Sequence, residues 1–254
     1  MLPYTTVLPK PLLPVGDKPI LSVLIDQLAG CGFTRVELCV GYLGELIRAY
    51  LAEAPPVPGV ELAFHGETEP LGTAGPLREI GDLDEAFLTL NGDVLTTLDY
   101  GAMLGEHVAS GAALTIAVQP RESAIPFGVV ELDGERVTAY LEKPVTTHLV
   151  NLGIYAWDPR ALAYLTGSAR LDIPEVVAAL LEAGEAVRAH VFRGPWFDIG
   201  TPEQHQAAIA DLEANPDRYR PRALSPGWAT RARAASERWG QGQERHKARG
   251  GAQS

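Results

Sequence analysis

Strand-length apolar runs alternate with helically spaced ones along most of this chain, and that alternation constrains its fold more than any composition figure. Residues 20–28 have helical spacing, with Pro19 suited to a first-turn position and Gly30 to a stop. Residues 36–40 read as a strand, 43–52 as the next helix, 60–64 as a short strand and 87–90 as a buried one. Residues 100–109 are helical and 114–118 return to strand. Parallel strands need a long crossover, usually a helix, so this order predicts an α/β fold. The expected sheet is mixed but mostly parallel, with helices on both faces. The pattern then changes. Residues 127–132, a turn at Asp133-Gly134 and residues 137–141 predict a hairpin. A strand at 150–155, a helix at 174–181, a strand at 187–192 and a helix at 202–213 capped by Thr201 complete the series.

Composition narrows the class. The 254 residues are 46% hydrophobic, enough for a buried core. Cys31 and Cys39 have neither metal-ligand nor redox spacing and read as reduced core residues, which places the chain in the cytoplasm. No basic-then-apolar leader and no run of membrane-spanning length occurs, so no membrane partner is expected. A net charge of −11 argues against a nucleic-acid partner. That charge is uneven: residues 217–254 carry nine Lys/Arg against three Asp/Glu, leaving about −17 on residues 1–216. Without apolar periodicity, 217–254 reads as a disordered basic tail behind a domain at 1–216. Association into a homo-oligomer stays open.

Five segments carry candidate chemistry. In Leu8-Pro9-Lys10-Pro11 a lysine stands between prolines, which fix φ and disfavour helix at the residue before them. Lys10 is therefore expected on a stiff, extended loop, aimed as a point charge suited to phosphate, though a proline-rich surface loop has the same look. Residues 69–76, Glu-Pro-Leu-Gly-Thr-Ala-Gly-Pro, read as a glycine-bearing loop entering a helix, where backbone can approach a ligand. Gly72 and Gly75 suit plain turns equally. Asn91-Gly92-Asp93 follows a buried strand, at the edge where α/β sheets bind ligands, and Asp93 suits an Asx turn as well. Glu142-Lys143-Pro144 follows the hairpin and could be an exposed charge pair. Asp198, in Trp196-Phe197-Asp198-Ile199-Gly200, could cap a helix.

In this order and spacing the segments resemble the sugar-1-phosphate nucleotidyltransferases, also called NDP-sugar pyrophosphorylases. The mannose-1-phosphate guanylyltransferase and glucose-1-phosphate nucleotidyltransferase branch is nearest. The resemblance spans about residues 2–213 and is carried by LPKPLLPVGDKP, EPLGTAG, NGD, EKP and WFDIGTP. It implies a Rossmann-like, GT-A-type nucleotide-sugar-binding domain at 1–216. It also implies an enzyme that joins an NTP to a sugar 1-phosphate and releases pyrophosphate with Mg²⁺, GTP and mannose 1-phosphate being the leading pair. Lys10 would then meet the triphosphate, Gly72 and Thr73 the base, and Asp93 and Asp198 the metal. Gly128, Glu142, Lys143, Asn151 and Gly153 would hold the sugar and its phosphate. The family opens with a buried strand and a GGxGTR loop, whereas residues 1–4 here begin where that loop would just have ended. An apolar strand and a glycine-rich loop are therefore expected in frame upstream of Met1. The alternative is a member that binds a nucleotide sugar or regulates a partner without catalysis. A glycosyltransferase would show Asp-x-Asp where this chain has Asn91-Gly92-Asp93, and a dehydrogenase would show GxGxxG.

Overall fold

The computed structural model describes residues 6–54, 58–83, 85–167 and 170–220. The expectations for residues 1–4 and for the tail from residue 221 onward lie outside them. A short ladder pairs β1 (Pro14–Val15) with β2 (Lys18–Pro19), and α1 (Ile20–Gly30) follows with Pro19 at its N-cap rather than in its first turn. β3 (Arg35–Val40), α2 (Gly44–Glu53) and β4 (Glu61–Gly66) make a crossover unit whose strands pair in parallel, Arg35 opposite Glu61. Next come β5 (Phe87–Leu90), β6 (Val94–Thr96), α3 (Tyr100–Ser110) and β7 (Leu114–Ala124). They lead to β8 (Val129–Asp133), β9 (Arg136–Leu141) and β10 (Val145–Trp157). α4 (Ile173–Glu182), β11 (Val187–Val191), β12 (Trp196–Asp198), α5 (Pro202–Ala214) and α6 (Pro216–Tyr219) close the chain.

The central sheet has the order β11-β7-β10-β5, with β11 parallel to β7 and β10 antiparallel to both of its neighbours. The sheet is mixed as expected, but its parallel share is smaller: among the described residues only β3–β4 and β7–β11 pair in parallel. β10 is the reason. It returns from the β8–β9 hairpin without a helical crossover, and such a return runs antiparallel. β7 and β10 also outrun their expected lengths. Their outer halves, paired from Ala124 opposite Val145 to Gln119 opposite Val150, form a largely exposed arm that carries the hairpin.

The two-residue period of β10 builds the core on both faces. Leu152, Ile154 and Ala156 join Leu24 and Leu28 of α1 and Met103 and Leu104 of α3. Tyr155 and Trp157 join Ile173, Val176 and Leu180 of α4. A further cluster seats α5 on β12 through Val15, Leu95, Ile199 and Ala208, and Tyr219 of α6 belongs to it. The domain therefore runs past residue 216. Gln27 Nε2 donates to the carbonyls of Thr96 (3.0 Å) and Tyr219 (3.2 Å), docking residues assigned to the tail. One aromatic in a polar stretch has no periodicity to announce it. Cys31 is buried as expected, but Cys39 is exposed, because it alternates along β3 with Leu38 and Val40, which pack against the core. Among the described residues no helix is long and apolar enough to cross a membrane.

Tyr100 is 1% exposed and its hydroxyl has no hydrogen-bond partner among the described residues. Burial, with Cys31 nearby, pushes that hydroxyl well above the ordinary tyrosine range. An unpaired buried hydroxyl costs about 1–3 kcal/mol, so Tyr100→Phe, which keeps the ring, is expected to leave stability unchanged or raise it. A thermal melt checks this; a fall of several degrees would reveal a partner for the hydroxyl.

Candidate active site

The site grows from the end of β5. After Leu90 the chain turns through Asn91-Gly92-Asp93 into β6, which pairs antiparallel with β12 so that Val94 faces Asp198. Ile199 N donates to the Asp93 carbonyl at 3.1 Å. This register brings two carboxylates together from segments more than a hundred residues apart. Burial, and then the Asp198 carboxylate, push the Asp93 carboxyl above its ordinary range, while Lys10 opposes them. Lys10 Nζ stands 4.0 Å from Asp93 Oδ2. The helix-cap alternative for Asp198 falls away: Thr201 caps α5 by accepting from Gln204 N, and Asp198 Oδ1 accepts from Gly200 N at 3.0 Å.

Lys10 sits in a single 3₁₀ turn, Lys10–Leu12, and not on an extended loop. Leu12 N donates to Pro9 O and Leu13 N to Lys10 O, each at 2.9 Å. Pro11 lies early in the turn, where its missing N–H costs nothing. Leu12 and Leu13 are buried, and that anchorage overrides the extended preference before proline. Pro11 also rests on Gly92, where a Cβ would lie 3.4 Å from its Cγ.

Asn151 and Gly153 stand beside this turn. Asn91 N donates to Gly153 O (3.0 Å) and Gly153 N to Asn151 Oδ1 (2.9 Å). Gly153 has φ +70°, and a Cβ there would meet the Asn91 amide at 2.5 Å, so both conformation and contact require glycine. Lys10, Asp93, Asp198, Asn151 and Gly153 thus gather at one end of the sheet.

The other expected site residues are elsewhere. The loop through Gly72 and Thr73 is clamped to the start of α4. Leu171 N donates to Leu71 O, and Leu171 O accepts from Ala74 N and Gly75 N. Thr73 N donates to Asp172 Oδ1 at 2.9 Å, and Thr73 Oγ1 accepts from Ile173 N at 2.9 Å. The Thr73 amide is the main cause holding the Asp172 carboxyl below its ordinary range. The loop enters only the 3₁₀ turn Gly75–Arg78, where a full helix was expected. Pro76 and the pull of residues 171–173 leave it no length. Gly128, Glu142 and Lys143 lie on the arm, where Tyr140 Oη donates to Glu142 Oε2 (3.1 Å) and a Cβ on Gly128 would strike the Tyr140 hydroxyl. Lys143 is exposed with φ +44°. Among the described residues no hydrogen bond or ion pair ties these three to the acid pair.

Could the acid pair hold a metal? Among the described residues no group of three or more His, Cys, Asp or Glu is placed to do so. Mg²⁺, however, is usually held by one or two carboxylates plus substrate phosphates, and two part-buried carboxylates close enough that the Asp198 charge raises the cost of ionising Asp93 fit that donor set. The sequence reading missed a cavity of about 390 Å³ beside β12, lined by Gln119, Arg121, Arg193, Trp196 and their neighbours. Arg193 lies just ahead of the Trp196–Asp198 segment and was within reach of the motif. Arg121 comes from another strand and gave no signal.

The family model for nucleotidyl transferases matches residues 1–215. The chain is 33% identical over 209 residues to the mannose-1-phosphate guanylyltransferase catalytic subunit beta of Danio rerio, covering 79% of this chain and 58% of that protein. It is 32% identical over 210 residues to a mannose-1-phosphate guanyltransferase of Neurospora crassa, covering 79% and 57%. The chain thus spans less than two thirds of the length of these relatives. Among solved structures it is similar to HddC from Yersinia pseudotuberculosis, with a TM-score of 0.64 at 24% identity over 81% of this chain and 90% of that one. A putative glucose-1-phosphate thymidylyltransferase from Bacillus anthracis gives 0.63 at 24% identity, over 83% and 89%. Fold, motif order and family match agree: this chain belongs to the nucleotidyl transferase family.

Proposed function

We propose that the protein joins an NTP to a sugar 1-phosphate and releases pyrophosphate, with GTP and mannose 1-phosphate as its preferred pair. The observation that carries this reading is the convergence of Lys10 on the Asp93–Asp198 pair at the end of β5. The relatives' names favour guanosine and mannose. A sugar-phosphate oxygen attacks the α-phosphorus in line; the new P–O bond forms as the α–β bridge breaks, and its electrons leave with pyrophosphate. Such a transfer needs positioning and charge neutralisation more than covalent help. The nucleophile is ionised at neutral pH, so no general base is required, and none of the six histidines takes a catalytic part. Asp93 and Asp198 would hold Mg²⁺, which when bound neutralises phosphate charge. Lys10 offsets charge on the leaving pyrophosphate. Asn151 and Gly153 border the sugar beside the acid pair, and Gly128, Glu142 and Lys143 reach it from the arm. Gly72 and Thr73 shape the wall that faces the base. The free Cys31 and Cys39 support a cytoplasmic setting for this reaction.

A panel of NTPs against sugar 1-phosphates, read by pyrophosphate release from the full-length protein with Mg²⁺, tests the proposal. GTP with mannose 1-phosphate is expected to turn over fastest. Binding of a nucleotide sugar with no turnover of any pair would replace this reading with that of a non-catalytic binding member.

A further inference from the structure

Nine of the fourteen large apolar side chains that stand exposed lie on the arm, between Ile125 and Leu149, at 44–72% exposure. Across the hairpin ladder Val130 faces Tyr140 and Leu132 faces Val137, so four of the nine share one face. Among the described residues neither β8 nor β9 pairs with a third strand. A two-stranded ribbon is marginally stable at best in water, and three or more strands with a hydrophobic face are needed to stand alone. Soluble monomers also rarely expose a contiguous apolar patch larger than a few hundred Å². The arm therefore calls for a cover.

The edge of β10 identifies that cover. From Val145 to Val150 this strand pairs only with β7, and its pairing with β5 is confined to Ile154–Trp157, so its second edge is bare among the described residues. The bare stretch, Val-Thr-Thr-His-Leu-Val, contains no Asp, Glu, Lys, Arg or Pro. The far edge of the ribbon, on β7, carries Pro120, Arg121 and Glu122, residue types that guard an edge against pairing. The unguarded edge is also complementary to itself. Val145, Thr147 and Leu149 share one face. A second copy, run antiparallel about a two-fold axis at Thr147, sets Val145 against the partner's Leu149 and Thr147 against the partner's Thr147. Apolar meets apolar, hydroxyl meets hydroxyl and no charge is buried, which are favourable cross-strand pairs. We propose that the arm is a dimerisation element, in which two copies of this chain pair along Val145–Leu149 and join their ribbons into one four-stranded sheet. Its size suits the task. Phe127 and Tyr140, at about 150–250 Å² for a whole aromatic side chain, expose roughly 200–350 Å². The seven aliphatic side chains and the bare strand edge bring the arm to the scale of the about 800 Å² that each partner of a standard interface buries. A net charge of −11 opposes contact over most of the surface, and this uncharged edge is where two such chains can meet.

Analytical ultracentrifugation of the full chain, from low to high micromolar protein and with a thermal melt of each variant, tests this. Wild type is expected to be a reversible dimer. Val145→Lys combined with Leu149→Lys sets like charges against each other at both ends of the ladder and should weaken the dimer at least tenfold. Val145→Lys combined with Leu149→Glu sets opposite charges across the same positions and should restore most of the association. Dilute samples of all three proteins should melt alike, since both side chains are exposed. A wild type that stays monomeric throughout the range would overturn the proposal. A dimer that both double variants leave intact would overturn it too, by placing the interface elsewhere. A Lys/Glu variant as dissociated as the Lys/Lys variant would refute the two-fold register. Slow hydrogen exchange at residues 145–150 in a monomeric wild type would assign the bare edge to another part of the same chain and overturn the dimer.

Discussion

Asp93→Asn and Asp198→Asn are each expected to cut turnover by about 100-fold or more while the protein stays folded. An amide offers a metal an oxygen but no charge, and by analogy with a lost oxyanion donor this removes roughly 2.7–4 kcal/mol of transition-state stabilisation. Stability should move the other way. The folded-state pKa of Asp93 is raised by burial and by Asp198, so the folded protein holds that proton more tightly than the unfolded chain does. As pH rises from the ordinary aspartate range through the raised value, stability is lost, and above it the full cost of the crowded pair persists. Without divalent cation at pH 7, Asp93→Asn should therefore melt no lower than wild type. Mg²⁺ should raise the wild-type melting temperature and leave that of the variant nearly unchanged. Near-wild-type turnover in either variant would remove the metal assignment. A marked fall in the melting temperature of metal-free Asp93→Asn would instead make the carboxylate a structural acceptor.

Gly72→Ala should destabilise the fold by roughly 1–3 kcal/mol, the cost of forcing a side chain into a left-handed backbone. Gly72 has φ +83°, and its added Cβ would lie 2.4 Å from Leu171 O, a backbone atom held by Ala74 N and Gly75 N. The clamp between this loop and α4 must open to make room. A domain of this size loses about 2–4 °C per kcal/mol, so the melting temperature should fall by several degrees. Thr73→Val, which deletes the hydroxyl accepting from Ile173 N, should show a smaller drop of the same kind. A selective rise in KM for the NTP with no change in melting temperature would mean that these residues touch the base directly.

The alternation of apolar runs sufficed to place α1, α3, α4 and α5 and the strands Phe87–Leu90 and Val187–Val191 within a few residues, and the start of Leu114–Ala124 but not its end. Local periods of 3.6 and 2 are written in neighbouring residues, so a sequence displays them without its fold. β6, the pair β1–β2 and β12 were invisible because two- or three-residue strands complete no period. The candidate acids were legible for a similar reason, each lying in a short contiguous motif.

Pairing decided the rest. That Asp198 meets Asp93 follows from Trp196 facing Thr96 across the β12–β6 ladder, a register no local pattern encodes. The direction of β10 and the docking of Tyr219 on Gln27 likewise depend on partners far away in the chain. So does the convergence of Arg121 and Arg193, which start on different strands and meet only once Gln119 reaches Gly194. By itself the sequence determined which elements form and which residues could do chemistry. The tertiary structure alone decided which of them share a site, because long-range contacts are set by packing and strand register, and neither leaves a signature in adjacent residues.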